Sequence, residues 1–231
     1  MTNRTHILLC VCLLVVLAGL GVGMRALFPE RIDLPFDTTS TILAAEFSET
    51  PEEFGAVIGV DRRYAESLKL QQYLDFPFIV CYVALFALLA YAMRAYDVPA
   101  ARWVAWLAIG AAVAAGVFDI LENLTILRGI SSTAQLLHIR RYSLPKWGLA
   151  FLVMFLESGV FFFWPRLNLW FRLGAVVTGG LWLAAGASGL LFASLASVID
   201  IPWSVAWLSW GIGAALVFLA AIAVRDRLNK V

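Results

Sequence analysis

Charged side chains are scarce in this sequence, and their scarcity sets the class of protein. Only 14% of the 231 residues are charged, 62% are hydrophobic and the mean hydropathy is +0.86, whereas roughly a quarter of the residues in soluble domains are charged. A water-soluble fold is therefore excluded. The formal net charge of +1 gives no electrostatic basis for nucleic acid or another polyanion as a partner.

Cysteine and histidine are also few, which limits the cofactors that the chain can hold. Cys10, Cys12 and Cys81 lie within apolar runs and lack CxxC spacing, so neither a disulfide framework nor a zinc site is predicted. The two histidines are too few for a His-rich zinc or haem site. The sequence contains no G-x-S-x-G motif of a serine hydrolase. We therefore predict no cofactor and no dedicated metal site.

Long apolar runs occupy most of the chain. Because a helix rises about 1.5 Å per residue, crossing about 30 Å of hydrocarbon takes about 20 apolar residues. Such runs predict an all-α, polytopic membrane helix bundle of six transmembrane helices at residues 7–24, 75–93, 103–124, 147–164, 170–198 and 203–224. We expect residues 1–24 to be a retained anchor rather than a cleaved signal peptide. Residues 75–231 then form the other five helices.

Residues 25–74, between the first two spans, are predicted to form a small extracytoplasmic helical cap. Within them, Thr50, Pro51 and the following acids predict a helix start, because threonine caps free amides and proline and carboxylates suit a first turn. Basic residues in the short connections and the C-terminal tail place both termini in the cytoplasm by the positive-inside rule. The basic residues at 128–146 oppose this orientation, because they would lie outside.

The third apolar run ends in three polar residues, Asp119, Glu122 and Asn123. A carboxylate facing hydrocarbon costs about 2.5–3.5 kcal/mol on the insertion scale. At 100° per residue, Asp119 and Asn123 share one helix face with small residues, namely Ala105, Ala108, Ala112, Ala115 and Gly116. Small residues let helices approach closely, so we predict that this face contacts protein rather than lipid.

Polar residues of the neighbouring spans suggest an acidic pocket within the membrane. Asp75 enters the second span at the predicted level of Asp119, and Tyr82 can donate its hydroxyl to a carboxylate. Glu157 lies about 15 Å below the outer boundary at the helical rise, which predicts that it floors a pocket open to the extracytoplasmic side. The candidate ligand-binding or proton-linked residues are Asp75, Tyr82, Asp119, Glu122, Asn123 and Glu157. The candidate anion- or headgroup-binding residues are Arg128, Arg140, Arg141 and Lys146.

Three functions remain open on this pattern. A transporter or a lipid- or small-molecule-binding protein would accept a cationic or amphiphilic ligand in the pocket, with membrane lipid as a further partner. A metal-dependent lipid-modifying enzyme of the outer leaflet would hold a divalent ion on Asp75, Asp119 and Glu122. A structural subunit of a membrane complex would use the same polar groups only to pin its helices together. The sequence leaves catalytic residues and the oligomeric state unassigned.

Two short patterns resemble those of an uncharacterised family of small multi-pass bacterial inner-membrane proteins. They are Asp75-x-x-Phe78 followed by Tyr82, and Asp119-x-x-Glu122-Asn123. The acidic segment PFDTTSTILAAEFSETPEEFGAVIG is similar to the segment that precedes these patterns in that family. The resemblance covers residues 30–130. It implies the bacterial inner membrane and implies no activity.

Overall fold

The chain is helical in the regions that a computed structural model describes, which are residues 4–27, 41–59, 62, 64–94, 99–132, 139–163, 169–195 and 201–228. These regions form eight helices, α1 (Arg4–Leu27), α2 (Thr41–Phe47), α3 (Pro51–Ile58), α4 (Ala65–Met93), α5 (Pro99–Ser131), α6 (Arg140–Phe162), α7 (Leu169–Leu195) and α8 (Ile201–Leu228). The predicted all-α class is confirmed.

The long helices have the length and apolar character of membrane spans. Within the described residues, α1, α4, α5, α6 and α7 contain the five segments that are long and apolar enough to cross a membrane. In α8 the corresponding apolar segment, Trp210–Arg225, is shorter. The multi-pass membrane class is therefore confirmed, and the count of six spans stays a prediction.

Consecutive long helices pack side by side from α4 to α8, and α1 packs against both α4 and α8. Glycines allow the closest approach, between α6 and α7. A Cβ atom on Gly186 would lie 2.5 Å from the backbone nitrogen of Phe155, and one on Gly189 would lie 2.1 Å from the ring of Phe151. Any larger residue at either position would push the two helices apart.

Two of the spans extend beyond their apolar runs, toward α2 and α3. α4 begins at Ala65 and continues unbroken through Pro77, so residues 25–74 include its first turns. α6 begins at Arg140 rather than at residue 147. Hydropathy marks where a helix becomes apolar, whereas its backbone hydrogen bonds can continue through polar residues outside the hydrocarbon. The cap rests on the first turns of α4 and α6 and on the end of α5.

Helices α2 and α3 form the cap. α3 starts as predicted, because the Thr50 hydroxyl accepts from the Glu53 amide at 3.2 Å and the Glu53 carboxylate accepts from the Thr50 amide at 3.3 Å. A hydrophobic cluster joins the cap to the ends of α4, α5 and α6 through Ala44, Ala45, Phe54, Val57, Ile58, Leu68, Ile126, Ile130 and Ile139. The cap is therefore packed onto the bundle. Residues 28–40, also predicted to belong to it, lie outside the described residues.

Candidate functional site

A buried lysine, Lys146 of α6, lies at the centre of the polar residues. Its Nζ is 2.6 Å from Oε1 of Glu122, 2.9 Å from Oε1 of Glu46 and 3.3 Å from Oδ1 of Asp119. Lys146 is 6% exposed, and the three acids are between 1% and 5% exposed. Since water screens charges poorly at buried positions, these contacts are electrostatically stronger than the same contacts at a surface.

The α4 residues join this group through α5. Nδ2 of Asn123 donates to Oδ2 of Asp75 at 2.6 Å, and the Tyr82 hydroxyl donates to Oδ2 of Asp119 at 2.9 Å. The polar residues that the sequence placed at one membrane level are therefore in contact across the α4–α5 interface. The name charged cluster is used for five of these residues, Glu46, Asp75, Asp119, Glu122 and Lys146.

Small residues on α5 make this contact possible. Ala105, Ala108, Ala112 and Ala115 are 0% exposed, which confirms that their face is turned toward protein. At Gly116, a Cβ atom would lie 2.6 Å from Cγ2 of Val83 in α4. Because α4 approaches α5 so closely there, the Tyr82 hydroxyl reaches Asp119 one turn further along α5.

Glu46 enters the charged cluster from the cap and is held by α6. Nε1 of Trp147 donates to Oε2 of Glu46 at 2.8 Å, and the Ser143 hydroxyl donates to the Glu46 backbone carbonyl at 2.7 Å. Helix α2 therefore covers the cluster, and both the side chain and the backbone carbonyl of Glu46 anchor it to α6. The sequence analysis missed Glu46. Its signal is a single charge within the otherwise apolar helix TILAAEF, in the middle of a polar segment.

Acidic groups outnumber basic ones in the charged cluster. Four carboxyl groups, those of Glu46, Asp75, Asp119 and Glu122, face one ammonium group. Oδ1 of Asp119 and Oε2 of Glu122 accept no hydrogen bond from any described residue. Buried negative charge without compensation is strongly unfavourable. Chemically, such a cluster can take up protons or a further cation.

Glu157 lies apart from the charged cluster. It follows Lys146 by eleven residues in α6, a distance of about 16 Å at the helical rise. The buried residues between them are apolar: Val153 and Met154 on α6 and Leu85, Phe86 and Leu89 on α4. The structure thus separates Glu157 from the acidic residues of the pocket that it was predicted to floor.

The four basic residues predicted to meet anions or headgroups fall in different surroundings. Lys146 is buried among carboxylates, and Arg140 forms an ion pair with Glu49 beside the cap. Arg128 and Arg141 are exposed, near the cap ends of α5 and α6. Contact with headgroups stays a prediction for these exposed arginines, whereas the charge of Lys146 is already occupied within the protein.

The centre of the cluster suits an organic ammonium better than a metal ion. The ammonium of Lys146 occupies the space on which the carboxylates of Glu46, Asp119 and Glu122 converge. In the part of the chain that the structure describes, no group of three or more His, Cys, Asp or Glu side chains is arranged to hold a metal.

Comparison of the chain with family models, with curated proteins and with solved structures gives no match. The function therefore has to be inferred from the contacts of the charged cluster and from the helices that surround it.

Proposed function

We propose that the protein is a proton-linked transporter or binding protein for a cationic or amphiphilic small molecule, with the charged cluster as its binding site. The observation that supports this function is the imbalance of charge, since four carboxyl groups face the single ammonium of Lys146 in buried surroundings. Protons or a bound cation would neutralise the excess. Uptake of one and release of the other are then linked, because both compete for the same carboxylates.

The contacts of Lys146 suggest which ligand chemistry fits. A primary ammonium group has three N–H donors; Lys146 donates to Glu46 and Glu122 and lies within ion-pair distance of Asp119. A ligand amine can form the same charge-assisted hydrogen bonds with the oxygens that Lys146 leaves unused. Because the cluster has more carboxylates than ammonium groups, a second cation can enter without leaving a buried charge unpaired.

A ligand would approach from the side of the cap. A cavity of about 400 Å³ lies between the cap ends of α4 and α5, lined by Arg62, Ala65, Glu66, Lys69, Tyr73, Leu127, Ile130 and Ser131. The lining contains no residue of the charged cluster; Leu127 lies one turn beyond Asn123 in α5, toward the cap. The mixed apolar and charged lining of this cavity suits an amphiphile. In the proposed orientation, within a bacterial inner membrane and with both termini cytoplasmic, this entrance faces outward.

Two alternatives make different use of the same residues. A structural subunit is favoured by one observation, namely that the ion pairs of Lys146 tie α2, α5 and α6 together. A metal-dependent lipid-modifying enzyme has no contact in its favour, because no group of three or more His, Cys, Asp or Glu side chains among the described residues is arranged to hold a metal ion. A measurement of ligand binding distinguishes the two roles, because only the proposed function requires a ligand.

Titration calorimetry of the purified protein in lipid nanodiscs tests the proposal. A series of primary alkylammonium ions of increasing chain length serves as the probe. Comparing the heat in two buffers of different ionisation enthalpy gives the protons released per cation bound. We expect saturable binding with proton release, weakened about tenfold or more in Asp119→Asn, which corresponds to about 1.4 kcal/mol.

The control variant is Glu52→Gln, because Glu52 is an exposed acid of α3 that does not line the cavity. This variant should bind the alkylammonium ions like the wild type. Undiminished binding in a folded Asp119→Asn protein would remove the proposal. If no alkylammonium ion binds the wild type and Asp119→Asn lowers its stability, the structural role is favoured instead.

A further inference from the structure

Glu157 is a buried acid that the charged cluster does not account for. Its side chain is 0% exposed in the apolar core of the bundle. Neither carboxyl oxygen has a hydrogen-bond partner among the described residues. An ionised carboxylate in such surroundings would be strongly disfavoured, since water is excluded and the backbone of Ala90 is the one polar group of α4 that approaches the carboxyl group. Intramembrane acids of this kind are usually functional rather than structural.

The groups that face Glu157 come from α1 and α4. The Cys10 thiol of α1 is close enough to interact electrostatically with Glu157, and α4 presents its backbone at Ala90. One turn before Cys10 in α1 is His6, whose Nε2 lies 2.8 Å from the Leu88 carbonyl oxygen. The titratable groups on this side of Glu157 are therefore a thiol and, one turn further toward the helix start, an imidazole.

Basic residues at the same end of the bundle engage other groups. The guanidinium of Arg94 lies 4.9 Å from the ring centroid of Tyr91. That of Arg225 in α8 lies 4.9 Å from the ring centroid of Phe171, and Arg172 of α7 is exposed. None of the basic residues in the described part of the chain forms an ion pair with Glu157. Among the described residues, therefore, no basic side chain compensates a charge on Glu157, and a bound proton would neutralise it.

An apolar layer separates Glu157 from the charged cluster. On α4 the layer contains Leu85, Phe86 and Leu89, and on α6 it contains Val153 and Met154, all at most 5% exposed. The cluster lies on the side of the layer where the cap sits. Glu157 lies on the other side, nearer the end of α6 and the start of α1. Two acidic sites are thus stacked along the bundle with no polar side chain of α4 or α6 between them.

We propose that Glu157 is a second proton-binding site, which exchanges its proton with the side of the membrane on which α1 begins, while the charged cluster exchanges with the cap side. This arrangement deepens the proposed function and rests on it for the coupling between the two sites. The proton site at Glu157 itself requires no ligand. Because the layer is apolar, a proton passes between the sites only when α4 and α6 rearrange. The layer therefore prevents protons from leaking across the membrane.

Labelling with dicyclohexylcarbodiimide tests the inference. This apolar reagent reacts with protonated carboxyl groups: the acid O–H adds across one C=N bond, and the acyl group then moves to nitrogen to give a stable N-acylurea. The full-length protein is reconstituted in vesicles whose inner and outer pH are set independently, and its orientation is read by protease accessibility. Mass spectrometry of the peptides gives the labelling rate at each carboxyl group.

We expect Glu157 to be labelled about a hundredfold faster than the exposed Glu66 at neutral pH, because burial away from water favours the neutral carboxyl group with which the reagent reacts. Raising the pH on the side where α1 begins should slow the labelling of Glu157. Raising it only on the cap side should not. Glu157→Gln should abolish the label on the peptide that contains residue 157, whereas Glu157→Asp, which keeps a carboxyl group, should retain it.

Labelling of Glu157 at the rate of Glu66, or labelling that follows the pH of the cap side, would overturn the inference. Both results come from the wild-type protein, so poor folding of a variant does not affect them. If alkylammonium ions bind the cluster while Glu157 is not labelled, only this inference fails. If Glu157 is labelled as expected but no alkylammonium ion binds, the proton site stands and the proposed function fails.

Discussion

Nζ of Lys146 and Oε1 of Glu122 lie 2.6 Å apart in a buried ion pair that joins α6 to α5. The desolvation of two buried charges offsets most of their attraction, so such a pair adds little net stability. Removing one partner is different, because the other charge then stays buried without compensation. Since Lys146 also contacts Glu46 and Asp119, this one side chain takes part both in the docking of the cap and in the packing of the spans.

Replacing Lys146 should therefore destabilise the protein strongly. We expect Lys146→Met to lower the free energy of unfolding by about 3–5 kcal/mol, the usual cost of leaving a buried charge unpaired. Thermal unfolding in detergent, followed by circular dichroism, measures the change. The control is Lys69→Met, which breaks the exposed pair with Glu66 and should cost about 0–1 kcal/mol. Equal effects of the two substitutions would show that the Lys146 contacts are not formed in the protein.

Removing the Glu46 side-chain charge should loosen the cap without unfolding the bundle. In Glu46→Gln, the contacts with Lys146 and Trp147 are weakened, and hydrogen bonds to charged groups typically contribute about 1.5–3 kcal/mol. Amide hydrogen exchange should become faster in residues 41–47 and stay unchanged in the middle of α5. In the matched control Glu49→Gln, which alters the more exposed pair with Arg140, exchange in α2 should stay slow. Slow exchange in both variants would contradict an anchoring role for Glu46.

The sequence predicted best what depends on one helix alone. The spacing of Ala108, Ala112, Ala115 and Asp119 fixes a common face of α5 because the helical repeat is a local property. That face is buried in the structure, and the contact of Asp119 with Tyr82 follows from it. The helix start at Thr50 is equally local and was predicted from a few consecutive residues.

What the sequence could not provide is the docking of one helix on another. Glu46 reaches Lys146 only because α2 packs on the first turns of α6, a contact between residues a hundred positions apart. The side chain of Lys146 was predicted to bind anions or headgroups, like the arginines of the same basic segment. Its true direction depends on which face of α6 meets α5. The depth of Glu157 was predicted from helical rise, but the apolar layer above it is formed jointly by α4 and α6.

The close approach of α4 and α5 at Gly116 should be sensitive to a single methyl group. In Gly116→Ala, the new Cβ would lie 2.6 Å from Cγ2 of Val83, and overpacking of this kind costs about 1–3 kcal/mol. The double variant Gly116→Ala/Val83→Ala should recover part of the loss, because it removes the clashing methyl. At Gly110 a Cβ would meet nothing within 4 Å, so Gly110→Ala should be neutral or stabilising by up to about 1 kcal/mol. Thermal unfolding of the wild type and the three variants measures these changes in stability. A neutral Gly116→Ala would mean that α4 and α5 lie further apart.

The separation of the two acidic sites predicts a pattern of energetic coupling. Tyr82 donates directly to Asp119, so the effects of Tyr82→Phe and Asp119→Asn on the free energy of unfolding should not add. We expect a coupling energy of about 1.5–3 kcal/mol, the net contribution of one hydrogen bond to a charged group. Glu157 has no described contact with Tyr82, and Leu85, Phe86 and Leu89 lie between them on α4.

The second cycle therefore pairs Tyr82→Phe with Glu157→Gln. Their effects should add to within about 0.3–0.5 kcal/mol, as they do for sites that share no partner. Chemical denaturation in mixed micelles provides the free energies for both cycles. Coupling of the same size in both would mean that Glu157 and the charged cluster form one continuous polar site, because only shared contacts or a shared backbone shift produce such coupling. Coupling confined to the first cycle is what two acidic sites divided by an apolar layer require.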